Sequence, residues 1–175
     1  MPLGGAPAMD VTALAAEAWW RRYGAAAEGT AQRAYALATA KAADDLAAAS
    51  KSLQRSAGSL AEASQASSNA AARTPYLNGH VDLSQAAYHL DTAAERLRSA
   101  LAEAQRGGLM DAASRASARL AEVEQLHSQV AAAYAELPHA DEVAASSKQV
   151  APLMGPLVIA VLRFDGRLAE IALAL

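Results

Sequence analysis

Glutamate and histidine stand three apart at two places in this chain, Glu124-x-x-His127 and Glu136-x-x-His139. Residues three apart share a face of a helix. Helical bundles that hold a pair of iron or manganese ions use Glu-x-x-His on two helices, with further glutamates from two others. Here the second copy contains Pro138, and Glu62, Glu95, Glu103, Glu122 and Glu124 fall off the apolar seams set out below. Carboxylates that hold a metal must turn inward. The spacing therefore predicts no metal centre, and His127 reads as a polar seam residue that fixes helix register.

His89-Leu90-Asp91 places a histidine on a helix, as phosphotransfer domains do, but the lysine and glycine that follow the histidine in those domains are missing. His89 reads as a surface residue. With Cys 0, disulfides, thiolate metal sites and cysteine nucleophiles are excluded. There is no glycine-rich phosphate loop. No catalytic, cofactor-binding or metal residue is expected, and an enzyme is not.

Lys+Arg 15 stand against Asp+Glu 18, a net charge of −3. No basic stripe runs beside the few aromatics, so no nucleic-acid partner is expected.

The most distinctive short segment is Trp19-Trp20-Arg21-Arg22-Tyr23, which holds both tryptophans of the chain. Adjacent residues on a helix point about 100° apart, so the two indoles cannot share one narrow seam. One suits the bundle and the other needs a second surface. Tryptophan and arginine are the types enriched at interface hot spots, and they also suit a membrane boundary. Trp20 to Gly24 is similar to the Trp-x-Gly turn of the small helical-hairpin proteins of type VII secretion (the WXG100 group). Here the spacing is longer, Trp-x-x-x-Gly, and it precedes the long helix. That likeness implies an alternative role as a helical effector exported without a cleavable signal.

These residues must be positioned by helices, because 50 of the 175 residues are alanine, the best helix former. Hydrophobic residues make up 53%, but alanine is the larger part of that fraction and contributes far less on burial than leucine. A thin core predicts that some apolar surface buries against another chain.

Residues 1–9 read as an arm, with Asp10 a candidate N-cap for a first helix over 11–27. The stretch of about 30–72 reads as one long helix, about 60 Å if unbroken. Leu46, Leu53 and Leu60 recur every seventh residue, alternating with Ala42, Ala49, Ser56 and Ala63, the pattern of a close-packed seam. Serines from Ser50 to Ser68 read as small, soluble positions. Pro75 and Asn78-Gly79 predict a chain reversal at 73–81, and Asp82 with Gln85 has capping-box spacing for the next helix. Further helices are expected at about 82–106, 109–137, 141–150 and 157–174. The seam of the helix at 82–106 is Leu83, Leu90 and Leu97. That of the helix at 109–137 is Leu120, Val123, His127, Val130 and Tyr134. The whole reads as all-α, with one domain over 10–175, an elongated antiparallel bundle or coiled-coil hairpin of about four to six helices.

The last helix carries Leu157, Val161, Phe164, Leu168 and Ile171 on one face, with Arg163, Arg167 and Glu170 opposite. Its apolar run of Ala151 to Leu162 is short of the ~20 residues a membrane span needs. That face is expected to dock in its own bundle or on a protein partner, in a homo- or hetero-oligomer. Peripheral membrane contact through the same helix is the other alternative. The start lacks a basic and an apolar leader region, which predicts a cytoplasmic or intracellular protein, or signal-less export. The reading is a non-enzymatic interaction or scaffold protein, a structural subunit of a larger assembly.

Overall fold

The structure, a computed structural model, describes residues 30–175. It is all-α. Five helices follow one another among the described residues: α1 (Ala31–Ser64), α2 (Asn69–Arg106), α3 (Met110–Glu136), α4 (Ala140–Ala145) and α5 (Ala151–Leu173). The first helix over 11–27, Asp10 and the Trp19–Tyr23 segment lie outside the described residues.

α1 begins at Thr30, whose hydroxyl accepts the Arg33 N–H at 3.2 Å. This satisfies one of the donors that a helix start leaves open. Ser68 does the same for α2, accepting from Ala71 at 3.1 Å. The two helices form an antiparallel hairpin, about 50 Å long at 1.5 Å per residue. Its seam is the one the leucine spacing predicts. Leu46, Leu53 and Leu60 face Leu83, Leu90 and Leu97, all essentially without exposed surface, and Ala42, Ala49, Ser56 and Ala63 fill the narrow positions between them.

Gly107-Gly108 reverses the chain into α3. Gly108 takes the left-handed backbone conformation, φ 67°, which only glycine adopts freely. A side chain at Gly107 would overlap the Ala31 Cβ, because this turn packs against the foot of α1. α3 lies on α2, α4 braces the upper part of α2, and α5 runs back down α1 and touches α3. The upper core thus lies among all five helices, α4 contributing Ala140 and Val143.

Four boundaries differ by several residues from the sequence reading. α1 ends at Ser64 instead of Ala72, and the reversal falls at Gln65–Ser68, so residues 73–81 are helical. Pro75 is tolerated near the start of α2 because the carbonyl it deprives belongs to Ala71, an exposed residue that water can serve. Gly79 is a contact point and not a turn. A Cβ there would lie 2.7 Å from Leu60 Cγ. Asp82 accordingly caps nothing and pairs with Arg55 at 3.3 Å. The short helix stops at Ala145 instead of residue 150. α5 starts at Ala151, six residues early, with Pro152 in its first turn, where a missing N–H costs nothing.

Candidate interaction surface

The residues that could do chemistry are dispersed. Glu124 points outward and forms an exposed ion pair with Arg98 at 2.7 Å, while His127 sits half-buried on the seam side of α3. His139 is the residue that precedes α4. No group of three or more histidine, cysteine or acidic residues that could hold a metal ion occurs among the described residues. His89 is half-buried, its ring edge-on to Tyr88.

A histidine passed over in the sequence is the better placed one. His80 is buried on α2, stacked on Tyr134 of α3 with ring centroids 4.5 Å apart and beside Tyr76 at 5.9 Å. Burial lowers its pKa from 6.5; a hydrogen bond to the Tyr134 backbone opposes this, and nearby His139 adds to it. Tyr76, one turn earlier on α2, donates its hydroxyl proton to the Pro138 carbonyl. Burial, and then the charge of Glu142, push the Tyr76 phenol up to about 12, so it stays a donor. Arg73 joins the same elbow through Asp141 at 2.7 Å. These contacts clamp the α3–α4 connection onto α2.

α5 is fixed by polar contacts on its inner side. Asp165 accepts the Ser50 hydroxyl at 2.6 Å and the Gln54 amide at 3.1 Å. At the top, Asn69 donates to the carbonyls of Ser146 (3.0 Å) and Lys148 (2.7 Å) and accepts from the Val150 N–H at 3.2 Å. The five residues assigned to partner binding on this helix all turn into the chain's own core. Val161, Leu168 and Ile171 are fully buried, and Leu157 and Phe164 pack half-buried against the same cluster. They dock α5 onto its own bundle.

The surface left over is on the other side. Leu153 is 63% exposed, Ile159 54%, Leu162 50% and Leu173 44%. Ile159, Leu162 and Leu173, with Gly166 between, recur in steps of three, four and seven, which puts them in one stripe. Arg163, Arg167 and Glu170 border the stripe, all exposed. The signal was present in the sequence as the unusually high apolar content of this helix, more than one face can use. No helix among the described residues is long and apolar enough to cross a membrane. Comparison with protein families, with curated proteins and with solved structures returned no match.

Proposed function

We propose that this chain is a non-enzymatic helical interaction or scaffold subunit that offers the outer stripe of α5 to an amphipathic helix of a partner protein. The observation that supports it is the stripe of three large apolar side chains, Ile159 (54% exposed), Leu162 (50%) and Leu173 (44%), on a helix already docked by its opposite face. Contiguous apolar surface on a water-soluble fold marks an interaction site more often than chance. Helix-on-helix docking uses anchors at this three-and-four spacing. Gly166 gives the partner backbone room, since nothing lies within 4 Å of a Cβ built there.

The test is the double substitution Ile159→Glu with Leu162→Glu. Both side chains face outward, so helicity and the melting curve should stay close to wild type. Proteins cross-linked to the wild-type chain in extracts of its native source should be lost with the variant, and the purified partner should rebind wild type alone. If the same partners bind both chains equally, the stripe is not the interaction surface. If the double variant instead abolishes flotation with lipid vesicles and changes no protein contact, the partner is a membrane and the reading fails.

A further inference from the structure

The outer stripe of α5 is symmetric along its length. Ile159 stands seven residues before Gly166 and Leu173 seven residues after it, so the three lie within about 40° of one another around the helix. Both large side chains are well exposed, and nothing lies within 4 Å of a Cβ built at Gly166. The stripe therefore presents an open gap with a large apolar side chain about 10 Å to either side of it. Leu162 widens it along one edge. A helix that complements this needs the same pattern: large, small, large, at the same spacing. α5 carries that pattern itself, and it reads alike in both directions.

The charges along the other edge select one direction. Arg163 lies three residues before Gly166 and Glu170 four residues after it, both exposed. If a second α5 is turned end for end about Gly166, its Glu170 comes level with Arg163 to within one residue, about 1.5 Å. A two-fold axis keeps like edges on the same side, so this opposite-charge pair forms twice. A parallel copy would set Arg163 beside Arg163 and Glu170 beside Glu170. Arg163 makes no ion pair within the chain among the described residues, whereas Arg167, further round the helix, is already held by Glu122 at 3.4 Å and Glu170 at 2.8 Å.

Resting on the reading of the α5 stripe as an interaction surface, we propose that its occupant is a second copy of this chain, the two α5 helices crossing antiparallel about a two-fold axis at Gly166. Each Leu173 then packs between Ile159 and Leu162 of the other copy. Gly166 meets Gly166 at the crossing, which lets the backbones approach near the lower end of the usual 8–10 Å helix spacing. Arg163 gains Glu170 of the second copy. A contact of this kind uses the same patch on both sides and closes at two copies, with no stripe left over to propagate. The apolar side chains involved are few, so the interface is of the small class and exchanges readily with monomer.

Sedimentation equilibrium of the full chain over about 1–100 µM should show a monomer–dimer equilibrium that Ile159→Glu with Leu162→Glu abolishes. Arg163→Glu brings two carboxylates level across the axis, and Glu170→Arg brings two guanidinium groups level. Each variant alone should dimerise about tenfold more weakly or worse. Mixed in equal amounts, the two pair opposite charges again, and the dimer should return to within a few fold of wild type. Misfolding of either variant could not produce that recovery. Single variants that dimerise as wild type does, or a mixture that recovers nothing, overturn the antiparallel pairing, as does a dimer that survives Ile159→Glu with Leu162→Glu. A wild-type chain that stays monomeric throughout, while its extract partners are still lost with that double variant, overturns the second copy alone and leaves the α5 surface standing.

Discussion

Ser56 donates a hydrogen bond of 2.7 Å to the Gly79 carbonyl, joining the middle of α1 directly to the backbone of α2. The contact exists only because both residues are small. Gly79 accepts Leu60 where a methyl group would sit, at 2.7 Å, and Ser56 is fully buried between them. Gly79→Ala should therefore destabilise the chain by about 1–3 kcal/mol through overpacking, despite the better helix propensity of alanine. Gly58, on the outer side of α1 with open space around it, should behave in the opposite way. Gly58→Ala should stabilise by up to about 1 kcal/mol. Urea unfolding of the two variants side by side checks the sign of each.

The Ser50–Asp165–Gln54 contact makes a second prediction. A buried hydroxyl donating to a carboxylate is a charge-assisted bond, worth about 1.5–3 kcal/mol, and Asp165 is half-exposed, which reduces this. Asp165→Ala should cost about 1–2 kcal/mol and loosen α5 before the hairpin. Hydrogen exchange in residues 151–173 should rise more than in residues 42–60. Uniform loss of protection along the chain would count against a local role.

His80 sets a pH dependence. Its pKa is lower folded than unfolded, so the unfolded chain takes up the proton first and stability rises with pH through this range. The His80 contribution should be complete above its ordinary value of 6.5 and decline as pH falls below it, until the folded pKa is reached. His139, Glu142 and the two stacked tyrosines are the other titratable groups around it. His80→Phe keeps the ring stack and should flatten the pH 5 to 7.5 slope of the urea midpoint. An unchanged slope would assign the effect elsewhere.

Core truncation should be costly in the leucine seam even though the surrounding core is alanine. Leu53 and Leu90 are both fully buried, and Leu→Ala at such sites costs about 2–5 kcal/mol. Alanine neighbours offer little side-chain freedom to collapse into the hole, so the upper half of that range is expected. Thermal melts of Leu53→Ala and Leu90→Ala measure it.

The helical class and the hairpin seam were legible in the sequence because large and small residues alternate at a fixed period. Leucine at one position and alanine or serine at the other leaves a single phase, and every leucine so placed in α1 and α2 up to Leu97 is buried. The reversal was not legible. Pro75 and Asn78-Gly79 are stronger turn signals than Gln65-Ala66-Ser67-Ser68, yet the chain turns at the latter. Tertiary packing decided it, since Gly79 is more valuable as the point where Leu60 enters than as a bend. In α3 the strict four-and-three pattern selected His127, while the structure fully buries Leu126 and leaves His127 half-buried. That helix faces both α2 and α5, so its buried face is broader than one seam. The use of the α5 surface was left open for a related reason. Two apolar stripes occupy the same helix, and periodicity alone does not say which one the bundle takes.

The grip of Asn69 on Ser146, Lys148 and Val150 spans 77 to 81 positions of chain, and Ser50 and Gln54 reach Asp165 over 115 and 111. Each of these anchors for α5 is translated before α5 itself. A ribosome making this protein therefore completes a hairpin with a vacant berth before α5, the most water-averse of the described helices, emerges to find its polar moorings already in place. Reordering the gene so that residues 151–175 come first would remove that protection, leaving the stickiest segment to wait in solvent for the rest of the chain.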